Sequence, residues 1–311
     1  MNTQSNAMPE VPLEAQVVTN AAVAATRPLY WSIRRELWED RSIYFAPLAI
    51  ASLFMVGFLI RTIQQMPKMR AALADPVNQR GAIHMPFHIA AFMLLVTAFF
   101  TGAFYCLDAL HGERRDRSVL FWKSLPVSDL TTVLAKVSIP LVVLPLITFA
   151  IIVATQFVLF LFSTAIALGN GLSAATLWAQ LPLWKMWLSL LCALVASALW
   201  YAPIYGWLLL VSSYVRRATF LWAVLPLFAI CVVEKIALNT LSFANLLKFR
   251  LIGWYTQTFV QLVPGGVPPA DPLTQITPWK FLSTPELWIG LAVTAVLLAI
   301  AIRIRRYREP I

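Results

Sequence analysis

Val137–Ser163 reads VSIPLVVLPLITFAIIVATQFVLFLFS, and nothing in it is charged. In a helix, at about 1.5 Å per residue, such a run outreaches the roughly 30 Å hydrocarbon core of a bilayer. It lacks the alternation of a barrel strand, so its backbone polar groups must pair within one helix. That reading decides the fold. Five further stretches pass the same test, roughly 44–60, 87–110, 184–214, 219–238 and 286–302. The whole chain agrees, with 311 residues that are 60% hydrophobic and only 12% charged. A soluble domain of that length could not keep its surface wet with so few charges. The expected fold is an all-α polytopic membrane protein with six transmembrane helices.

The net charge of +10 is explained by where the charges sit. With the N-terminus inside, 15 of the 24 basic residues fall in cytoplasmic segments, among them Arg34, Arg35, Arg114, Arg115, Arg117, Lys136, Arg216, Arg217, Arg303, Arg305 and Arg306. The positive-inside rule favours this orientation over its inverse, although Arg61, Lys68, Arg70 and Arg80 crowd the first outer loop. The chain is therefore expected in the inner membrane with both termini cytoplasmic, and its basicity is orientation chemistry with no nucleic acid as partner. Residues 1–26 carry no basic residue and are expected to form a flexible cytoplasmic tail, ahead of a single membrane domain over 27–308.

Around the spans, Leu29, Ile33 and Leu37 recur every four residues, with Tyr30, Trp38 and several charges between them. This pattern predicts an interfacial helix on the inner leaflet before the first span. The fourth stretch is longer than a bilayer and contains Pro203, so it must tilt or bend. The turn between the fourth and fifth spans is short and carries Arg216 and Arg217 at its tip. Residues 239–285 form a long outer connection. Within it Leu246 to Val263 is too apolar for an exposed loop and too interrupted for a span, which predicts a re-entrant or interfacial element.

Chemistry-bearing patterns are few. None of the seven lysines follows a glycine, so no phosphate-binding loop is present. No Gly-x-Ser-x-Gly or His-Glu-x-x-His pattern occurs, and Asp108 is the sole aspartate near a span. Cys106, Cys192 and Cys231 lie in apolar runs without metal-ligand spacing and read as small hydrophobes. His84 and His88, four apart near Met66, Met69 and Met85, are the pattern from which a metal-handling or enzymatic membrane protein would be argued, but such pairs arise often by chance. Glu234 and Lys235 sit near the outer end of the fifth span, where intramembrane charges usually face a bundle interior or a cavity. Together with Pro203 they are the candidates for a gate or pathway.

The densest signal is His111–Pro126, HGERRDRSVLFWKSLP. Over 111–129 four basic residues (Arg114, Arg115, Arg117, Lys123) oppose three acidic ones (Glu113, Asp116, Asp129), a net of +1. Adsorption to acidic lipid favours a block of one sign. Mixed charge running into Val119, Leu120, Phe121 and Trp122 suits a protein groove with a polar rim. Glu113-Arg114-x-x-Arg117, the hydrophobic run after it, Ser124-Leu125-Pro126-Val127-Ser128 and Lys136 at the next span resemble the ABC-2 type transporter permeases.

That resemblance covers about residues 27–308. It implies a permease with no catalytic residue and no cofactor of its own, in a dimer with a second copy or a paralogue. Separate ABC ATP-binding subunits would hold ATP and Mg and drive export. Glu113, Arg114, Arg117, Val119, Phe121, Trp122 and Leu125 would form the main ATPase-coupling element, with Arg216 and Arg217 near the second contact. Two other classes stay open: the metal-handling or enzymatic protein above, and a membrane anchor that recruits an ATPase without transport.

Overall fold

The computed structural model describes residues 27–64, 76–116, 128–169, 175, 181–259 and 281–307. Its regular elements are helical, and six helices are long and apolar enough to cross a membrane. In chain order they begin with α1 (Arg27–Glu39), which precedes α2 (Ser42–Gln64). Next come α3 (Pro76–Ala109) and the short α4 (His111–Arg115) that continues it after a turn at Leu110. The third span is α5 (Asp129–Ser138), a π-helical turn (Ile139–Val143) and α6 (Leu144–Gly169). Then follow α7 (Leu183–Tyr214), α8 (Thr219–Leu238), α9 (Ser242–Phe259) and α10 (Pro285–Tyr307).

The apolar runs mark these spans but understate their ends. The third reaches from Asp129 to Gly169, well beyond the uncharged run quoted above. Its first ten residues are amphipathic: Val133, Ala135, Lys136 and Val137 are buried while Leu130 and Leu134 are exposed. A search for uninterrupted apolar sequence stops where that pattern begins. Ser128 caps this helix by accepting a hydrogen bond from the Thr131 amide at 3.1 Å. Pro140 sits within the π turn and Pro145 just after it, and neither can donate to the helical ladder.

Four helices form the body. Ala51 of α2, Leu94 of α3, Ile152 of α6, and Leu190 and Leu194 of α7 make the middle of the core. Ile43, Tyr105, Cys106, Val137, Leu144 and Leu209 close one end, with Ile33 and Leu37 of α1 packed on them. Phe58, Phe87, Leu159 and Met186 close the other. α10 lies along α7, where Gly206 lets Thr294 approach so closely that a Cβ there would sit 3.3 Å from its methyl. α8 is the loosest span. Among its described residues only Ala223 is buried, and Trp207 Nε1 donates to the Ala223 carbonyl at 3.1 Å. A cleft opens between α3, the π turn and α7, lined by Phe99, Pro140, Pro145, Ser197, Tyr201 and Tyr205.

The helix expected before the first span is present as α1; of its expected face Ile33 and Leu37 are packed, while Leu29 is exposed. The element expected over Leu246 to Val263 is helical from Ser242 to Phe259. The N-terminal tail, most of the 111–126 stretch and residues 260–280 lie outside the described residues.

Candidate functional site

Six charges from four helices meet at the end of the bundle where α1, α4, α5 and α10 converge. Glu113 of α4 is the centre, and its side chain is only 6% exposed. One carboxylate oxygen pairs with Arg35 Nη2 at 2.8 Å and Lys136 Nζ at 3.1 Å, the other with Arg305 Nη1 at 2.7 Å. Glu36, equally buried, binds Lys136 Nζ through both oxygens at 2.9 and 3.0 Å and Arg35 at 2.6 Å. Tyr105 of α3 donates its hydroxyl to Glu36 at 2.7 Å. Arg305 then reaches Asp129 Oδ1 through Nε at 3.1 Å. Three cations and three carboxylates balance, and Glu39 adds a looser contact to Arg35 at 3.5 Å.

The physical reason for this balance is burial. A lone charge held away from water costs several kcal/mol, so it must find partners and hydrogen bonds. Burial by itself would lower the Arg35 pKa, but Glu36, Glu39 and Glu113 outweigh it and hold the guanidinium above its ordinary value. Glu39, half-desolvated at the rim, is raised by burial more than Arg35 lowers it. Such a cluster has well-paired charges but a strict geometry. Moving any one member takes a partner from the charges that remain.

A second set of contacts binds α4 to the turn between α7 and α8. Ser212 Oγ accepts from the Leu110 and His111 amides at 3.0 and 2.9 Å, where the α3 ladder breaks. Arg114 is buried and donates to the carbonyls of Ser213 and, at 2.9 Å, Val215. These are carbonyls at the C-terminal end of α7, the place where a helix has unpaired acceptors and favours a cation. His111 Nε2 lies 3.2 Å from the Arg216 carbonyl. Ala218, with φ of 53°, takes the left-handed conformation that closes the turn, and Arg216 and Arg217 stay exposed at its tip.

Of the expected coupling residues, Glu113, Arg114, Arg216 and Arg217 are therefore brought to one end of the molecule. Glu113 and Arg114 are engaged within the chain, while Arg216 and Arg217 are exposed. Arg117, Val119, Phe121, Trp122 and Leu125 lie outside the described residues. Both flanks of that segment converge on one side chain, because Arg305 pairs with Glu113 before it and Asp129 after it.

Sequence reasoning missed Arg35, Glu36, Tyr105, Asp129 and Arg305 as site residues. For Glu36 a signal exists. It sits between Ile33 and Leu37 on the packed face of α1, where an acidic side chain must meet a cation.

The three gate or pathway candidates do not share a site. Pro203 is half-buried within α7. Glu234 is half-buried and accepts from the Thr240 hydroxyl at 2.7 Å and from the Ser242 and Phe243 amides at 2.7 and 2.9 Å. It thus caps α9. Lys235 bonds Asn239 Oδ1 at 2.9 Å instead of its neighbour. His84 and His88 stack with ring centroids 6.1 Å apart. Among the described residues no group of three His, Cys, Asp or Glu side chains gathers in a metal-holding arrangement.

At that opposite end α9 is fastened to α7 and α10. Trp200 Nε1 donates to the Arg250 carbonyl at 3.0 Å and Tyr201 to the Leu251 carbonyl at 2.8 Å. The Arg250 guanidinium lies 4.6 Å from the Trp200 ring centroid and donates to the Glu286 carbonyl at 3.2 Å. It fills the space that Gly290 leaves, since a Cβ there would overlap its Nη2. Burial lowers its pKa.

Comparison with known proteins adds no family. No family model, curated protein or solved structure matches the chain.

Proposed function

We propose that this chain is the membrane-spanning permease subunit of an ATP-driven exporter, of the ABC-2 kind its sequence resembles. The observation that supports this most is the anchoring of the two residues that flank 117–127. Glu113 and Asp129 flank the segment, and both pair with Arg305. Glu113 also reaches α1 and α5, and Arg114 reaches the α7–α8 turn. A push on the segment by a partner would therefore be delivered to both flanks at once. From there ion pairs and hydrogen bonds with little slack carry it to α1, α5, α7 and α10. An isolated loop has no use for such rooting, whereas a coupling element needs it.

In this reading the motor is a separate ABC ATPase that holds ATP and Mg, and a second copy or a paralogue of the chain completes the transport unit. The side of the membrane bearing the junction is cytoplasmic. The test is co-expression with an ABC ATP-binding subunit and reconstitution in vesicles. The complex should hydrolyse ATP and move substrate, and Phe121→Ala with Trp122→Ala should separate hydrolysis from transport. A complex that forms, hydrolyses and transports as before with both aromatics gone would overturn the coupling role. Hydrolysis without transport in the wild type would instead identify an anchor.

A further inference from the structure

Arg34 and Arg35 are neighbours on α1 with opposite fates. Arg35 turns inward to Glu36 and Glu113. Arg34 turns outward, and its guanidinium carbon lies 5.2 Å from the Trp31 ring centroid and 5.4 Å from that of Trp38. The three occupy i, i+3 and i+7, one stripe of the helix. Trp31 is 56% and Trp38 70% exposed, and Tyr30, packed edge-on against Trp31, is 59% exposed.

Among the described residues no carboxylate pairs with Arg34. The acidic groups of this helix are engaged elsewhere: Glu36 is buried in the junction, Glu39 faces Arg35, and Asp40 accepts from Ser42 Oγ at 2.6 Å. A cation with two aromatic faces beside it keeps the edge of its guanidinium free, and that edge donates hydrogen bonds in the plane.

We propose that Trp31, Arg34 and Trp38 bind the phosphate of an anionic glycerophospholipid. The membrane is the occupant because only Asp40 and Arg41 separate α1 from the first span. Below Trp38 the exposed surface continues through Phe45 and Leu48 of α2, which face the acyl chains of any surrounding bilayer. Arg41, also exposed, adds a second cation at that boundary. Tryptophan and arginine together are the side chains that settle at headgroup depth, one with an amphipathic ring and the other with a phosphate-matching fork. The site depends on the spanning architecture and not on the exporter reading.

The full-length protein, stripped of lipid in detergent, is titrated with phosphatidylglycerol, phosphatidylcholine or inorganic phosphate and read by native mass spectrometry. Phosphatidylglycerol should bind at least about tenfold tighter than phosphatidylcholine, and inorganic phosphate should not displace it at equal concentration. Arg34→Gln should weaken phosphatidylglycerol about tenfold, and Arg34→Lys and Trp38→Ala less. Arg61→Gln, on the far end of α2, should change nothing. An Arg34→Gln protein with the wild-type thermal midpoint and wild-type phosphatidylglycerol binding would overturn the site. So would displacement by phosphate alone, or a loss confined to capture of an ATPase partner.

Discussion

The two ends of this bundle are held by different chemistry. At one, side-chain ions from four helices share partners, so Glu113, Glu36 and Lys136 each serve more than one element. At the other, α9 is held through its own backbone: Trp200 and Tyr201 donate to its carbonyls, and Glu234 accepts from its first amides. A shared ion network resists piecemeal movement, because each displacement takes a partner from buried charges. Bonds to one helix's backbone let that helix come away as a unit, and each costs little more than one hydrogen bond. The charged end is therefore suited to transmitting a displacement, and the other to releasing one.

The severest test of this contrast is Glu113→Gln. It leaves Arg35, Lys136 and Arg305 crowded with one fewer negative charge and should cost about 3–5 kcal/mol, seen as a large fall in the thermal midpoint in detergent. A fall no greater than that of an exposed-charge variant such as Arg61→Gln would show that the network is not shared. Arg114→Ala comes next. Stripping the last carbonyls of α7 of their donor should cost about 1–3 kcal/mol and loosen the α7–α8 turn, measurable as faster amide exchange there.

At the opposite end, Gly290→Ala should expel Arg250 from its seat at up to about 1–3 kcal/mol for the overpacked contact. A disulfide-trapping assay between α9 and α10 would report the loosening. If the midpoint fell as far as for Glu113→Gln, the two ends would not differ in kind. Smallest is Glu234→Gln, a local change at the start of α9. Only exchange at the Ser242 and Phe243 amides should quicken, with the midpoint unmoved.

How much of this was legible in the sequence depends on distance along the chain. The spans were, because a run such as Val137–Ser163 declares itself within one window. The start of α5 was not, since Asp129 and Lys136 interrupt the apolar count even though the helix buries Val133 and Val137. The motif at 113–117 pointed to the right neighbourhood but not to its use. The contact of Arg35 with Glu113 spans 78 residues and that of Arg305 with Glu113 spans 192, and no periodicity reaches so far. Basic residues at 303–306 satisfy a positive-inside count whether or not one of them points inward. Only the helix face of α1 carried local information, because Glu36 shares it with Ile33 and Leu37.

The π turn at Ile139–Val143 has a consequence for rotation. A wider turn takes up one extra residue, so the faces of α5 and α6 are out of phase by about one residue's 100°. The same span thus offers Lys136 to the ion junction and Leu144 to the inner helices without twisting either helix out of register. It also makes the span a geared joint instead of a rod. A swivel of α5, driven from the charged end, can be absorbed by moving the extra residue along the chain, leaving α6 still. Removing one residue from 139–143 would lock the gear, and any turn at Lys136 would then wind the whole span.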